Sequence, residues 1–296
     1  MGIARAHNGV VEIAYETFGA PGDEPLLLVM GLGAQMLYWP DDFCTALAGT
    51  GFTVARFDNR DSGLSTRFSD ARVPRLATML TRPAAAAVYQ LDDLADDAVS
   101  VLDALGWGSA HVVGVSLGGM IAQTIAVRHP TRIRSLTCLS STPYWRIGRR
   151  TFSTTVRTAL ARSAARRSRP AERFAEQMVR GHRVIGSPGY PLDEQWLREV
   201  ARRMAERGGL DRGGARRQGA AILAGGDRRP DLARVSVPTL VLHGQDDPLI
   251  RVEGGHALAD AIPAAALVTL PGMGHDLPRP LWPVIIREIR AVADRA

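Results

Sequence analysis

The chain has 296 residues, of which 46% are apolar and 22% are charged, and this composition excludes general disorder and allows one large core with or without an appended subdomain. Its formal net charge is +6, and no run of about eighteen apolar residues is present, which excludes a membrane-spanning helix. The first ten residues hold no apolar stretch of signal-peptide length, so we expect a cytoplasmic protein.

The first half of the chain predicts buried strands that alternate with helices. Asn8-Gly9 is a hairpin signal at the start of a strand-like region, residues 8–30, that ends in the apolar run Leu26–Met30. Such a run is typical of a parallel-sheet strand that is covered by helices on both faces. A second buried strand at Thr53–Phe57 follows, and residues 91–106 have the apolar spacing of a helix.

The second half continues this alternation on both sides of a long interruption. A strand at His111–Val115 runs directly into an apolar helix, and Ile133–Leu139 is a further strand. About ninety helix-prone residues follow before the strands Pro238–Leu242 and Ala266–Leu270 and a C-terminal helix. The pattern predicts an α/β fold with a doubly wound, mostly parallel sheet.

The interruption predicts a second structural unit. We assign residues 1–142 and 235–296 to the α/β core and residues 143–234 to a helical cap inserted between two strands. The cap segment holds 21 arginines against 9 acidic residues, whereas the remainder holds 15 arginines against 21 acidic residues. The positive charge therefore belongs to the cap segment and not to the protein as a whole.

Three interpretations of this arginine surplus, which is densest at 149–183, are open. It can form a solvated helix face, attract acidic substrates or dock to an anionic membrane surface. The last interpretation depends on Phe152, Val156 and Leu160, which would share one helical stripe. No motif supports binding to nucleic acid, and we exclude that class of partner.

The segment Gly114-Val115-Ser116-Leu117-Gly118 matches G-x-S-x-G, the nucleophile-elbow motif. The motif lies between a predicted strand and a predicted helix, as its mechanism requires. Glycines two residues on either side of the serine let the strand and helix backbones approach each other. The helix N-terminus supplies a free N–H and a positive dipole for a developing negative charge. We therefore predict Ser116 as a nucleophile.

A serine nucleophile needs a base and an orienting carboxylate, which follow it in the order acid and then histidine. His275 lies in a glycine-rich loop just after the last predicted strand, and it alone among the histidines combines this order with a loop context. Asp246 and Asp247 both follow the strand Pro238–Leu242, and their spacing does not choose between them. His243, at the end of that strand, is the rival histidine nearest the site. We expect activity to rise as the pH passes the pKa of His275, near the ordinary value of about 6.5.

The loop Gly31-Leu32-Gly33, which follows the first buried strand, is where a second oxyanion donor is expected. Its glycines let the N–H of Leu32 face the site beside the N–H of Leu117. Cys44 and Cys138 are the only cysteines, and we predict two buried free thiols. Neither lies in a Cys/His cluster, so the sequence predicts no metal site and no cofactor.

The motifs MGLG, DNRDSGLS, GVSLGG, HGQDDP and PGMGH resemble the α/β-hydrolase superfamily in order and spacing over the whole chain. The combination of LLLVMG, WPDDF and GMGH is similar to a narrower branch, the aclacinomycin methylesterase and related actinobacterial esterases and lipases. The resemblance implies a helical cap over the pocket. It also implies a triad of Ser116, Asp247 and His275, with Leu32 and Leu117 as oxyanion residues.

The chain departs from the superfamily at one point in these motifs. The superfamily often has His-Gly where this chain has Met30-Gly31. Because the backbone plays the role at this position, we expect the oxyanion site to be intact.

These features predict a serine hydrolase that cleaves a small-molecule carboxylic ester, apolar or aromatic in character, through an acyl-enzyme. The alternatives are a C–C bond hydrolase, lactonase or perhydrolase with the same triad, and a ligand-binding protein of the same fold without turnover. The cap should form the roof of a mostly apolar pocket. Residue type and segment suggest six lining residues: Trp39, Met120, Tyr144, Trp145, Met178 and Trp196.

Overall fold

The computed structural model describes residues 2–146, 170–209 and 211–296, and within them eight strands form one mostly parallel sheet. The strand order is β1-β2-β4-β3-β5-β6-β7-β8, and β2 pairs antiparallel with both β1 and β4 while the remaining neighbours are parallel. The strands are β1 (Ala4–Asn8), β2 (Val11–Phe18), β3 (Glu24–Val29), β4 (Phe52–Phe57), β5 (Ala110–Val115), β6 (Ile133–Leu139), β7 (Thr239–Gly244) and β8 (Ala266–Leu270).

Helices cover both faces of the sheet. They are α1 (Asp41–Ala48), α2 (Leu76–Thr81), α3 (Pro83–Ala86), α4 (Leu91–Ala104), α5 (Leu117–Arg128), α6 (Pro170–Ile185), α7 (Glu194–Glu206), α8 (Arg212–Ala224), α9 (Arg229–Leu232), α10 (Val252–Ala261) and α11 (Trp282–Ala293). Leu27 and Val29 of β3 pack in a cluster with α4 and α5, whereas Leu26 and Leu28 pack in a cluster with α1 and α11. All four leucine and valine side chains are fully buried. Successive residues of a strand point to opposite faces, and helices cover both faces of this sheet. The predicted doubly wound α/β fold is confirmed.

Helices α6 to α9 are inserted between β6 and β7, inside the predicted cap segment. Helices α6 and α7 pack against each other around a buried apolar cluster of their own, which includes Met178, Val200 and Met204 and contacts Leu37 from the loop after β3. Residues 147–169, with the stripe of Phe152, Val156 and Leu160, lie outside the described residues. The boundaries of the core and the cap stay a prediction.

Some arginines of the cap segment are not part of a solvated face. On the surface, Arg198 and Arg202 form ion pairs with acidic residues one turn away, as a solvated face would. By contrast, the side chain of Arg217 is 2% exposed and pairs with Asp61 of the DNRDSG segment at 2.8 Å. The Nη2 of Arg207 lies 2.6 Å from the fully buried Asp58 carboxylate. Part of the arginine surplus therefore joins the inserted helices to the core.

Three further findings concern the thiols, membrane-spanning helices and metal ions. Cys44 and Cys138 are free and buried, which confirms the prediction, and burial raises the pKa of each thiol to about 12. In the parts of the chain that the structure describes, no helix is both long and apolar enough to cross a bilayer. The same parts contain no cluster of three His, Cys, Asp or Glu side chains suited to a metal ion.

Candidate active site

Ser116 occupies the turn between β5 and α5. It caps the helix with φ of 56° and ψ of −118°, a backbone conformation that is strained for a residue with a side chain. Its N–H donates to the carbonyl of Leu139 on β6 at 2.9 Å, and its carbonyl accepts from the Ser141 hydroxyl at 2.8 Å. The strained turn is therefore held from both sides by the neighbouring strand, as expected of a nucleophile elbow.

The flanking glycines are required by close backbone contacts. A Cβ added at Gly114 would lie 2.1 Å from the carbonyl oxygen of Gly118, and a Cβ at Gly118 would lie 2.0 Å from the carbonyl oxygen of Val29. A Cβ at Gly31, in the loop after β3, would lie 3.3 Å from the Cβ of Ser116. The predicted close approach of strand and helix is confirmed, and the Gly31 backbone also lies next to the serine.

His275 and Asp247 form a short hydrogen bond. The Nδ1 of His275 lies 2.6 Å from Oδ2 of Asp247, whose other oxygen accepts from the N–H groups of Leu249 and Ile250 at 2.8 and 2.9 Å. Burial favours the neutral form of both groups, but the mutual attraction of imidazole and carboxylate outweighs it. As a result, the pKa of Asp247 is lowered and the pKa of His275 is raised.

The structure distinguishes the two aspartates and the rival histidine. The carboxylate of Asp246 accepts from the N–H of Gly272 at 2.9 Å and has no contact with His275 among the described hydrogen bonds. The Nε2 of His243 donates to the carbonyl of Ile250 at 2.7 Å, and burial lowers the pKa of His243. His243 therefore supports the loop that carries Asp247, from which its ring is 3.7 Å distant.

The loop that carries His275 is bonded to the end of helix α6. The N–H of His275 donates to the carbonyl of Ile185 at 2.7 Å, and the N–H of Gly274 donates to the hydroxyl of Ser187 at 2.9 Å. A Cβ at Gly274 would lie 2.3 Å from the carbonyl oxygen of Gly186, so glycine is needed for this contact. The position of the imidazole thus depends on the inserted helices as well as on the sheet.

Ser116 and His275 line one cavity of about 690 Å³, together with Leu32 and mainly apolar or aromatic side chains. Two of the suggested pocket residues, Trp39 and Trp196, also line it. The structure places the other four elsewhere among the described residues: Met120 in the core between the sheet and its helices, Met178 between α6 and α7, and Tyr144 and Trp145 in the turn after β6. Side-chain type alone did not distinguish residues that pack in the interior from residues that line the cavity.

The loop after β3 is held by the DNRDSG segment and by helix α8. The side-chain amide of Asn59 donates to the carbonyl of Met30 at 2.9 Å, and the N–H of Met36 donates to the carboxylate of Asp58 at 2.7 Å. The N–H of Gly33 donates to Oε1 of Gln218, a fully buried residue of α8. These contacts fix the backbone around Leu32 beside Ser116.

Sequence reasoning missed several polar residues of the cavity, among them Tyr38 and His182. Tyr38 directly precedes Trp39 in the loop after the first buried strand, and that position was a usable signal. His182 carries no motif, and its place on the cavity wall depends on how α6 lies over the sheet. Gln218 carries no motif and could not be found from its residue type.

Comparison with known proteins agrees with this architecture. The model of the α/β hydrolase fold family matches residues 24–278. The rhodomycin D methylesterase DauP from Streptomyces sp. (strain C5) is 31% identical over 305 residues, which cover 93% of this chain and 94% of that protein. The rhodomycin D methylesterase DnrP from Streptomyces peucetius is 30% identical, with 96% and 97% coverage.

A solved structure described as a hydrolase from Pseudomonas aeruginosa PA01 superposes with a TM-score of 0.69 and 25% identity, covering 99% of this chain and 98% of that chain. The family match and the two full-length relatives agree with the resemblance drawn from the motifs. This chain therefore belongs to the α/β hydrolase fold family and is an esterase-type hydrolase.

Proposed function

We propose that this protein hydrolyses a carboxylic ester, and specifically a methyl ester of an apolar or aromatic acid, through an acyl-enzyme on Ser116. The observation that carries the proposal is that Ser116 and His275 line the same cavity while Asp247 holds the far side of the imidazole. The two methylesterase relatives support the choice of a methyl ester. The size and apolar lining of the cavity suit a small-molecule substrate.

In this mechanism Ser116 Oγ attacks the ester carbonyl while Nε2 of His275 takes the hydroxyl proton. The Asp247 carboxylate accepts from Nδ1–H, which leaves Nε2 free as the base and stabilises the imidazolium that forms. The C–O bond to the alcohol then breaks, and His275 returns the proton to the departing alcohol oxygen. A water molecule, deprotonated by Nε2, attacks the acyl-enzyme, and the carboxylic acid leaves as Ser116 regains its proton.

The oxyanion of the tetrahedral intermediate would be bound by the N–H groups of Leu32 and Leu117. Leu117 is the first residue of α5, where an N–H has no acceptor within the helix and the helix dipole is positive. The loop that contains Leu32 is pressed against Ser116 at Gly31. Each such donor contributes roughly 3 kcal/mol to transition-state stabilisation.

Helices α6 and α7 would act as a cap over this site. His182 and Ile185 of α6 and Trp196 of α7 line the cavity opposite the serine loop. The hydrogen bond from His275 to Ile185 joins the cap directly to the base. We therefore expect the cap to exclude water and to select the acyl part of the substrate.

The test is steady-state hydrolysis of p-nitrophenyl acetate and of methyl phenylacetate by the wild type and two serine variants. Ser116→Ala removes the nucleophile and is expected to lower kcat by about 10⁴-fold or more. Ser109→Ala removes a hydroxyl that contacts only Arg134 among the described residues, and it is expected to retain wild-type rates. Full activity of the Ser116 variant would overturn the proposal.

A substrate panel separates ester hydrolysis from the other reactions that a serine triad can perform. It contains the two esters, a lactone, a ring-cleavage diketone, and acetate with hydrogen peroxide. We expect the highest kcat/KM with an ester. A higher kcat/KM with the lactone or the diketone, or faster peracid formation, would assign the triad to that reaction instead. No turnover of any compound would point to a binding protein.

A further inference from the structure

Besides His275, the polar rings of Tyr38 and His182 interrupt the apolar and aromatic wall of the cavity. Tyr38 ends the 3-10 turn Met36–Tyr38 after β3, and His182 lies on α6 of the inserted helices. Their rings are stacked, with centroids 5.7 Å apart and planes inclined by 12°. The ring of Trp196 meets Tyr38 edge-on at 6.3 Å. The polar atoms of these two rings come from different parts of the chain and are held by aromatic packing.

The tautomer of His182 is set by its backbone contact. Its Nδ1 lies 3.0 Å from the carbonyl oxygen of Met178, one turn earlier in α6. Because a carbonyl only accepts, Nδ1 carries the proton and Nε2 has the free electron pair of a neutral ring. Burial lowers the pKa of His182 and outweighs the hydrogen bond to Met178 and the attraction of Asp276, which both act in the opposite direction. Nε2 has no hydrogen-bond partner among the described residues and is therefore an available acceptor.

The hydroxyl of Tyr38 is available as a hydrogen-bond donor. Burial raises the pKa of Tyr38, so the phenol stays protonated at neutral pH and can donate. Within residues 2–146, 170–209 and 211–296 it makes no hydrogen bond. The cavity wall thus presents one free donor and one free acceptor on adjacent stacked rings.

We propose that Tyr38 and His182 form a subsite for a hydroxyl group on the acid part of the ester substrate. The substrate O–H donates to Nε2 of His182, and its oxygen accepts from the Tyr38 hydroxyl. This substrate class rests on the ester hydrolysis proposed above. A carboxylate is disfavoured, because it could accept from Tyr38 but would face the electron pair of Nε2 and the Asp193 and Asp276 carboxylates, which also line the cavity. The one guanidinium of the described cavity wall, that of Arg279, is paired with Asp42.

A hydroxylated aromatic ring suits the rest of the wall. Trp39, Trp196 and Trp282 line the same cavity, so aromatic side chains would surround a flat apolar group. A polar pair within such a wall discriminates strongly, because a substrate without the hydroxyl leaves two desolvated polar atoms without partners. We therefore expect phenolic esters to be preferred over matched esters that lack the hydroxyl.

The experiment compares methyl phenylacetate with its ortho, meta and para hydroxy and methoxy derivatives. For the isomer that places its hydroxyl at the pair, the wild type is expected to show about tenfold higher kcat/KM than for the unsubstituted and the methoxy ester. The methoxy group accepts but does not donate, so it tests the role of Nε2. No preference for any hydroxy isomer would overturn the proposal.

The effect of each variant is measured as the ratio of kcat/KM for the hydroxy ester to kcat/KM for the unsubstituted ester. A loss of activity that is common to both esters cancels from this ratio. Tyr38→Phe and His182→Phe keep the aromatic stack and are each expected to lower the ratio severalfold. Tyr190→Phe removes a tyrosine hydroxyl that contacts Pro271 outside the cavity, and it is expected to keep the wild-type ratio. A Tyr38 or His182 variant that lowers both esters equally would contradict the proposal.

Failure of the subsite is distinguishable from failure of the proposed function. If ester hydrolysis itself is absent, the wild type turns over none of the esters or Ser116→Ala turns them over equally well. If only the subsite is wrong, hydrolysis depends on Ser116 but the hydroxy and unsubstituted esters have the same kcat/KM.

Discussion

The backbone N–H of Gly33 donates to Oε1 of Gln218 at 2.7 Å, and this bond joins the loop beside the nucleophile to helix α8 of the inserted segment. The amide of Gln218 has a defined orientation, because its Nε2 donates to the carbonyl of Arg60 at 2.8 Å and to the hydroxyl of Ser62 at 3.1 Å. Gly33 follows Leu32, whose N–H we assign to the oxyanion site. A helix outside the sheet would therefore position the N–H that we propose to bind the oxyanion.

Replacing Gln218 should impair catalysis more than substrate binding. Gln218→Leu leaves the Gly33 N–H without an acceptor and lets the loop move away from the position that the oxyanion requires. We expect kcat to fall about 10- to 100-fold, since the loss of a whole oxyanion donor costs about 10²-fold or more. KM should change little, because the donors act mainly on the transition state. Steady-state kinetics on one ester give both constants.

The control separates positioning from stability. Leu223→Ala removes an apolar side chain from the same helix, where it packs near Met79, without touching Gly33. Both variants should lower the melting temperature, but only the Gln218 variant should lower kcat at a temperature where both are folded. Gln218→Glu keeps an oxygen acceptor and should retain more activity than Gln218→Leu. Equal kcat values for all three variants would show that Gln218 has no positioning role.

The adjacent aspartates provide a matched pair of substitutions. Asp247→Asn removes the charge that holds Nδ1–H of His275 and should lower kcat by about 10⁴-fold, as the loss of the acid does in a serine triad. Asp246→Asn changes a side chain whose one hydrogen bond among the described residues comes from the Gly272 N–H, and it should stay within about threefold of wild type. Similar kcat values for both variants, or a larger loss at Asp246, would reject the assignment of Asp247.

The pH profile should have its acidic limb above the ordinary histidine range. Catalysis needs neutral His275, and the Asp247 carboxylate raises the pKa of His275, so kcat/KM should rise with pH through a midpoint above about 6.5. The sequence alone had suggested an unperturbed value. In Asp247→Asn the carboxylate is gone while burial remains, so the midpoint of the residual activity should shift to lower pH. A midpoint that does not move would exclude the ion pair as its cause.

Glycine-to-alanine substitutions should have different effects on stability at Gly118 and at Gly181. At Gly118 the new Cβ would lie 2.0 Å from the Val29 carbonyl oxygen, a backbone atom that cannot turn away, so Gly118→Ala should destabilise by roughly 1–3 kcal/mol or more and reduce activity. Gly181, inside α6, has no atom within 4 Å of the added Cβ, and Gly181→Ala should be neutral or stabilise by up to about 1 kcal/mol. Denaturant unfolding of both variants tests this contrast.

Local patterns were sufficient to predict the sheet and the serine turn. The run Leu26–Val29 of β3 is buried throughout because helices cover both faces of the sheet, and that continuous burial is visible as continuous apolar sequence. Ser116 was predictable because the close approach of strand and helix requires the glycines two residues before and after it. That spacing is visible in the sequence. These features depend on contacts between residues that are near in sequence or in adjacent strands.

The cavity wall and its supports depend on contacts across long sequence separations. Gln218 and Gly33 are 185 residues apart, and nothing in either residue type signals their bond. Met120 and Met178 were expected at the pocket, yet both pack inside helical layers, because an apolar side chain suits either environment. Arg217 was counted only as part of the arginine surplus of the cap segment, although Asp61 holds it in the interior. Such assignments need the relative positions of the elements.

Covalent labelling tests the central assignment most directly. A fluorophosphonate reacts only with a serine activated by a base, so incubation with the probe, followed by mass spectrometry of the digested protein, identifies the nucleophile. We predict stoichiometric modification of Ser116 in the wild type and strongly reduced labelling in Asp247→Asn. Labelling that occurs at another residue, or that leaves Ser116 unmodified while esters are hydrolysed, would contradict the assignment of Ser116, His275 and Asp247 as the catalytic triad.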